Sequence, residues 1–265
     1  MTTLVCWKSV DDAGRETLHL CSDSRFRDSA GKQWDSGRKL FFSRRFPDIF
    51  GFVGEVLPPQ TALGQLIDGI DSLSLGPRSP RPEDRMEAYK AYLEKTVGTY
   101  PKSVVVEVLF ATRDDSGPSF HMWKIRYGIG RGPGTAHPIG VGGEKSRFIG
   151  VFGSGVKNFR KEYRSVQKDD QGHTSRAIYW AFMDHLASGA DPFTGGPPQM
   201  VRLKTSGPAI PVGVSYEGSR FIYGFQIDKD QLAETEITEW HDEKYQFIEP
   251  VSGKPRSKAQ KIGRR

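Results

Sequence analysis

The chain has 265 residues, of which 36% are hydrophobic and 26% charged, values typical of a soluble globular protein that buries a sizeable core. No run of eighteen or more apolar residues occurs, which excludes a membrane-spanning helix. The formal net charge is +6, but six basic residues and no acidic ones follow Ser252, so the rest of the chain is neutral and no nucleic-acid platform is expected.

The first predicted elements are two strands, over residues 2–10 and 16–22, joined by a turn with the sequence Asp-Asp-Ala-Gly. Antiparallel pairing of these strands places Thr2 roughly opposite Asp23. The cysteines at positions 6 and 21 lie in these strands, where we expect buried, reduced thiols. Further strands are expected at 38–43 and 49–53.

The middle of the chain alternates helical and strand patterns. Apolar residues at helical spacing predict helices over 55–73, 82–97, 156–166 and 173–186. Strands are predicted over 104–111, 120–127, 147–152, 199–205, 210–216 and 220–227. The Gly-rich segment 128–143 lacks the spacing of a phosphate-binding loop, and a flexible loop is expected there.

The chain is predicted to divide into a main domain over 1–227, a C-terminal extension over 228–251 and a basic, disordered tail over 252–265. The acidic part of the extension is expected to form a helix against the surface. In the main domain, strands and helix pairs follow one another as they would in two packed sheets with a helical layer outside each. This order predicts the α+β class and a four-layer αββα sandwich.

Several short motifs occur in order along the chain and fit one known pattern. They are Thr2-Thr3-Leu4-Val5 with Cys21-Ser22-Asp23-Ser24-Arg25, Ser36 to Phe41, Ile49 to Gly54, Gly153-Ser154-Gly155, and Asp191-x-x-Thr194-Gly195-Gly196. Together they resemble the proteasome β subunits and the bacterial HslV peptidases, which are N-terminal-nucleophile (Ntn) hydrolases, over roughly residues 2–227. The resemblance implies the same αββα sandwich and cleavage of peptide bonds by an N-terminal threonine.

The resemblance assigns a role to each residue of the motifs. Thr2 becomes the nucleophile once Met1 has been removed, and its own α-amino group acts as the base. The charge of Lys39 would favour the alkoxide, Asp23 would pair with Lys39, and the backbone N–H of Gly54 would stabilise the oxyanion. Each residue also has an ordinary interpretation: Thr2 as a strand residue with residue 1 retained, and Asp23 with Lys39 as a surface ion pair.

A second group of residues is expected to orient the amine and to bind the substrate. By the pattern of the family, Ser154, Asp191 and Thr194 form a polar network beside the Thr2 amine, although a capping or turn role would also explain them. The positions that line the primary substrate pocket in the family are Phe26, Gly37 and Phe52, which implies an apolar preference.

The expected partners are a peptide or protein substrate and further copies of the chain in a ring or other homo-oligomer, with an ATPase partner left open. No metal or other cofactor is expected, because the six histidines show no paired metal-ligand spacing, and core or surface roles are predicted for His173 and His185. A cytoplasmic location is expected. The alternatives are a non-catalytic scaffold or regulatory subunit, and a small-molecule amidohydrolase.

Overall fold

The computed structural model describes residues 2–28, 30–75, 81–114, 117–128, 133–168 and 172–256. Met1, part of the Gly-rich segment (129–132) and most of the basic tail (257–265) lie outside these ranges. The described strands are β1 (Thr3–Val10), β2 (Glu16–Ser22), β3 (Phe26–Arg27), β4 (Gln33–Trp34), β5 (Leu40–Phe42), β6 (Ile49–Gly54), β7 (Val105–Arg113), β8 (Phe120–Gly128), β9 (Thr135–Pro138), β10 (Arg147–Gly153), β11 (Gln199–Lys204), β12 (Ile210–Tyr216), β13 (Ser219–Ile222), β14 (Phe225–Ile227) and β15 (Glu239–His241). The described helices are α1 (Leu57–Asp71), α2 (Pro82–Gly98), α3 (Val156–Val166), α4 (Ser175–Ser188) and α5 (Lys229–Leu232).

The strands form three sheets. The largest has the order β10-β1-β2-β11-β12-β13-β14, with β15 added to β12, and the second has the order β5-β6-β7-β8-β9. A separate two-stranded ribbon consists of β3 and β4. The described strand pairs are antiparallel apart from β12 and β15, which run parallel. Strand β1 therefore lies between β10 and β2, inside the large sheet.

Strand β1 is buried on both faces, and its residues alternate between two hydrophobic clusters. Leu4 and Cys6 belong to a cluster that joins the large sheet to β5, β6, β7 and β8. Val5 and Trp7 belong to a second cluster with α3 and α4. Successive side chains of a strand point to opposite faces, so an apolar run of this kind suits a strand covered on both sides.

Two of the helices show sequence signals at their ends. Helix α1 carries Pro58 in its first turn, where a missing backbone N–H costs nothing. Helix α4 is capped by the Thr174 hydroxyl, which accepts a hydrogen bond from the Ala177 N–H at 3.2 Å. It ends at Gly189, whose φ of 58° is left-handed. Helices α1 and α2 share a third cluster with the five-stranded sheet.

The predicted fold class, an α+β four-layer αββα sandwich, is wrong. The described part of the chain is mostly antiparallel β-sheet, with about 35% strand and about 25% helix in five helices. Much of the difference arises in the last part of the chain, because segments expected to be one strand and a surface helix form several short strands instead.

Two of these segments show why the prediction failed. Residues 220–227 form a hairpin, since Tyr223 and Gly224 both adopt positive φ, 55° and 84°, and reverse the chain between β13 and β14. Within the acidic extension, only the four residues of α5 are helical. The extension then returns to the large sheet as β15, where the fully buried Trp240 packs against Gly213. The division of the chain at residue 227 stays a prediction.

The Gly-rich segment also differs from its prediction, because residues 135–138 form β9 and extend the five-stranded sheet. The first hairpin has the predicted strands, but Leu4 pairs with Ser22, which places Thr3 rather than Thr2 opposite Asp23. No helix in the described ranges combines the length and apolar character needed to cross a membrane.

Candidate active site

Asp23 and Lys39 form an ion pair that is completely enclosed by protein. The Lys39 Nζ donates to both carboxylate oxygens of Asp23 at 2.9 Å, and neither side chain has any exposed surface. Burial lowers the pKa of Lys39 below its ordinary value, and the charge of Asp23 and its hydrogen bonds oppose that shift. This pair is therefore not the surface ion pair that was the alternative interpretation.

Asp23 lies just after β2 and gathers backbone donors from three parts of the chain. Its Oδ1 accepts from the Thr3 N–H at 3.0 Å, and its Oδ2 accepts from the N–H groups of Arg25 and Gly195, both at 3.1 Å. With Lys39, these donors satisfy the buried carboxylate and fix its position. Because Thr3 is the immediate neighbour of Thr2, the ion pair lies at the start of β1.

Thr2 lies at this same end of β1, in a tightly packed position. Its side chain is 1% exposed, and its Oγ1 has no hydrogen-bond partner within the described part of the chain. The backbone of Gly153 approaches so closely that a Cβ there would lie 1.8 Å from the Thr2 carbonyl oxygen. Gly153 also has a φ of 96°, so both conformation and space require glycine at this position.

Ser154, Asp191 and Thr194 form a polar network with one another, and its position beside the Thr2 amine stays a prediction. The hydroxyls of Ser154 and Thr194 both donate to Asp191 Oδ2 at 2.8 Å, and the Phe193 N–H donates to Oδ1 at 3.0 Å. Burial raises the pKa of Asp191, but these hydrogen bonds together lower it below its ordinary value. Asp191 is therefore a carboxylate near neutral pH.

Thr3 connects this network to the β1 strand and to a histidine. Its Oγ1 lies 2.8 Å from Thr194 Oγ1 and 3.0 Å from His185 Nε2. The structure thus brings five of the predicted catalytic residues into two linked groups, one around Asp23 and one around Asp191. Thr3 joins both groups, through its N–H to Asp23 and through its hydroxyl to Thr194.

Gly54 is the last residue of β6, and its φ of 104° is in the region that favours glycine. A Cβ at Gly54 would meet the Val105 carbonyl oxygen at 2.6 Å. The end of β6 lies close to the start of β1, because a Cβ on Gly153 would approach both Val53 and the Thr2 carbonyl. These contacts account for the glycine by backbone geometry, and its oxyanion role stays a prediction.

The three predicted pocket residues lie near one another but leave little room between them. A Cβ at Gly37 would lie 2.5 Å from the Phe26 ring, so this ring rests directly on the glycine. Phe26 and Phe52 have ring centroids 6.5 Å apart, and Phe52 is fully buried. In this arrangement Phe26 occupies the space beside Gly37, and substrate binding there stays a prediction.

The sequence analysis missed Gln199, which hydrogen-bonds to the backbone around Asp23, Gly37 and Lys39. Its two Nε2 protons are donated to the Ser24 hydroxyl at 2.8 Å and the Gly37 carbonyl at 2.7 Å, with the Asp23 carbonyl also within reach at 3.2 Å. Its Oε1 accepts from the Lys39 N–H at 3.0 Å. Gln199 is 1% exposed. The sequence offered no clear signal for Gln199, because strand β11 also contains the polar residues Arg202 and Lys204.

Within the described ranges, no group of three or more His, Cys, Asp or Glu side chains is arranged to hold a metal ion. The sequence matches no protein-family model, and a search of curated proteins finds no match either. The resemblance to the proteasome β subunits therefore depends on the sequence motifs alone.

Proposed function

We propose that the chain is a threonine-type N-terminal-nucleophile hydrolase that cleaves peptide bonds, with Thr2 as the nucleophile after removal of Met1. The observation that carries the proposal is the buried Lys39–Asp23 ion pair at the end of β1 where Thr2 lies. A buried lysine is costly unless it is paired, and such perturbed groups are concentrated at functional sites. The Thr2 hydroxyl in the same region has no hydrogen-bond partner among the described residues, and it is a candidate for the group that this charge serves.

The proposed reaction has two steps. In the first, the Thr2 hydroxyl transfers its proton to the Thr2 α-amine, directly or through a water, and its oxygen attacks the carbonyl carbon of the substrate. The positive charge of Lys39 favours the alkoxide and discourages protonation of the amine, while the Gly54 N–H stabilises the oxyanion. The proton passes to the leaving amine, and an ester of Thr2 remains. Water then hydrolyses the ester and restores the hydroxyl.

The α-amine that would act as the base exists only when residue 1 has been removed. An α-amine titrates at about 7.7–8.0, so roughly a tenth to a sixth of it is free base at pH 7 and can accept a proton. In the proposal, the Ser154–Asp191–Thr194 network orients this amine and its water. The network is held by hydrogen bonds of 2.8 Å from both hydroxyls to Asp191, which supports a fixed geometry.

The substrate class, the assembly and the location belong to the same proposal. The substrate would be a peptide with an apolar side chain that displaces or contacts Phe26 beside Gly37. Self-association into a ring or another homo-oligomer, with or without an ATPase, follows from the resemblance. A cytoplasmic location agrees with removal of Met1 by methionine aminopeptidase and with the free, buried thiols of Cys6 and Cys21.

The proposal is tested by mass spectrometry of the purified protein after treatment with a peptide epoxyketone. We expect the intact mass to show loss of Met1 and the addition of one inhibitor molecule, located on Thr2 by peptide sequencing. The adduct should be absent in Thr2→Ala and in Lys39→Met, and present in Lys90→Met, whose lysine pairs with Glu87 on helix α2.

The outcomes separate the alternatives. A folded protein that retains residue 1 and takes no inhibitor would contradict the proposal and favour a non-catalytic scaffold. Labelling of Thr2 together with turnover of small amides but no peptides would instead favour an amidohydrolase. Labelling on another side chain would exclude Thr2 as the nucleophile.

A further inference from the structure

His185 lies at one end of a chain of hydrogen bonds that runs to Asp191. From His185 Nε2 the contacts pass to Thr3 Oγ1 at 3.0 Å, from there to Thr194 Oγ1 at 2.8 Å, and on to Asp191 Oδ2 at 2.8 Å. His185 belongs to helix α4, Thr3 to strand β1, and the other two residues to the loop that follows α4. None of the sequence motifs included His185.

The protons in this chain have a single consistent order. The Asp191 carboxylate only accepts, so the hydroxyl proton of Thr194 points to Asp191. The hydroxyl proton of Thr3 must then point to Thr194, because each threonine has only one proton to donate. The remaining contact of Thr3 Oγ1 requires a donor, and His185 therefore carries its proton on Nε2.

The other ring nitrogen of His185 agrees with this order. Nδ1 is buried and has no hydrogen-bond partner within the described part of the chain. A buried lone pair costs less than a buried, unpaired N–H that carries part of an imidazolium charge. His185 is thus a neutral imidazole with the proton on Nε2.

The surroundings of His185 hold it in this state. Helix α3 contributes the Phe159 ring, edge-on at 6.4 Å, and Gly155 lies so near that a Cβ there would meet Nε2 at 2.6 Å. Burial lowers the pKa of His185, and the acidic groups that oppose this shift are Asp191, Asp23 and Glu162. The Lys39 ammonium neutralises Asp23 by direct contact.

His185 and Thr3 do not form a second nucleophile and base. Thr3 Oγ1 is surrounded by His185 Nε2 at 3.0 Å, Thr194 Oγ1 at 2.8 Å and the backbone of Gly155, where a Cβ would lie 1.8 Å away, so no substrate carbon has room to approach that oxygen. The proton order also points the Thr3 hydroxyl away from the imidazole. The pair is therefore an internal support for the Asp191 network.

We propose that His185 is a positioning residue that fixes the proton order of the Thr3–Thr194–Asp191 chain, and thereby keeps Asp191 a fully hydrogen-bonded carboxylate beside the Thr2 amine. The inference rests on the proposed function, since it concerns the amine that would act as base. Hydrogen bonds in a chain polarise one another, so loss of the first donor weakens the last bond to Asp191. Asp191 then becomes more basic and holds the α-amine more firmly as an ammonium.

The proton order is tested without any need for activity, by ¹⁵N NMR of the full chain with labelled histidines. Resonances of His185 are assigned by their absence in His185→Gln. We expect a protonated Nε2 and a bare Nδ1 at pH 7, with no change of charge down to about pH 6.5, the ordinary pKa of histidine. A proton on Nδ1, or a charged ring at pH 7, would overturn the inference.

The effect on the amine is tested by the pH dependence of kcat/KM for peptide hydrolysis. We expect His185→Leu to lower kcat/KM about five- to tenfold, which corresponds to the loss of one hydrogen bond. The acidic limb of the pH profile of kcat/KM should move to higher pH by about half a unit. Thr3→Val breaks the chain at its next member and should give the same shift, and the double variant should add nothing further. His185→Gln keeps a hydrogen-bond donor and Thr3→Ser keeps a hydroxyl, so both variants should have the acidic limb of the wild-type protein.

The outcomes of the two experiments are distinguishable. Lower activity of His185→Leu with an unshifted acidic limb would contradict the inference while leaving the hydrolase proposal intact. If the wild-type protein has no hydrolase activity and takes no label on Thr2, the proposed function fails. The NMR result then still decides whether His185 fixes the proton order.

Discussion

Lys39 Nζ is held by both oxygens of the Asp23 carboxylate at 2.9 Å, in a place where neither side chain has any contact with solvent. Isolated ions of this kind are strongly disfavoured in a protein interior. The three backbone N–H donors around Asp23 complete its hydrogen bonding. The ion pair is therefore part of the framework of the site as well as a candidate for its chemistry.

We expect Lys39→Met to lower the free energy of unfolding by about 3 kcal/mol, because it leaves the Asp23 charge buried with backbone donors alone. Urea denaturation measures this change. The control is Lys90→Met, since the ion pair of Lys90 with Glu87 is partly exposed and its loss should cost less than about 1 kcal/mol. Equal effects of the two substitutions would contradict the buried pairing of Lys39.

Replacing Gly155 by alanine should disrupt the contact between Thr3 and His185. The new Cβ would lie 1.8 Å from Thr3 Oγ1 and 2.6 Å from His185 Nε2, and both are fixed in the sheet and in helix α4. We expect a loss of about 2–3 kcal/mol in the free energy of unfolding, as for other overpacked interiors. Gly64→Ala, in an open position of helix α1, should instead stabilise the protein by up to about 1 kcal/mol. Thermal unfolding of the two variants provides the comparison.

Gln199→Leu should destabilise the protein even though the substitution is nearly the same size. The leucine leaves the Lys39 N–H and the Gly37 carbonyl without their partner in a buried place, at a cost of about 3 kcal/mol. The measurement is again the urea midpoint, with the exposed Gln226→Leu as control, for which a change within about 0.5 kcal/mol is expected. An unchanged urea midpoint in Gln199→Leu would show that these hydrogen bonds do not contribute to stability.

Stability should fall as the pH drops below about 6.5, partly because of His241. Burial, followed by the charge of Arg202, holds the pKa of His241 well below its ordinary value of 6.5. The unfolded chain therefore binds a proton that the folded chain does not, so stability is fully present above pH 6.5 and is lost as the pH falls. By pH 5.5 this one residue should cost about 1.4 kcal/mol.

His241→Gln tests the acid sensitivity, since its amide oxygen can still accept from Arg202 but cannot titrate. The difference in unfolding free energy between pH 7.5 and pH 5.5 should shrink by about 1.4 kcal/mol in this variant. The exposed His137→Gln serves as the matched control and should leave the difference unchanged. His19, which is also buried and has a lowered pKa, would account for acid sensitivity that persists in His241→Gln.

The sequence predicted the elements whose periodicity is strong and whose partners are near in the chain. Strand β1 with its hairpin partner and helix α3 have the predicted ranges to within a residue. The register was off by one residue, because the turn includes five residues, closed by the Asp11 N–H to the Arg15 carbonyl. That shift places Thr3 rather than Thr2 opposite Asp23. It also changes the face of the sheet involved, because successive side chains of a strand point to opposite faces.

The less predictable part of the site depends on contacts across long distances in the chain. The motifs identified Asp23 and Lys39 as candidate site residues, and the resemblance implied that the two form a pair. Their catalytic roles remain predictions. Gln199 and His185 contact partners 160 and 182 residues away, and no local pattern records such contacts. The fold class failed for a related reason, because the short strands at the end of the chain are stabilised by the sheet that they join.

The Asp23 carboxylate also ties the site to the order in which the chain is made. Its donors include the N–H of Thr3 and that of Gly195, a residue 172 positions beyond Asp23. During synthesis, a ribosome-bound fragment that ends before this loop lacks the Gly195 N–H that binds Asp23, and it also lacks Asp191 and Thr194. The threonine near the amino end would therefore acquire its assembled surroundings only when translation of most of the chain is complete.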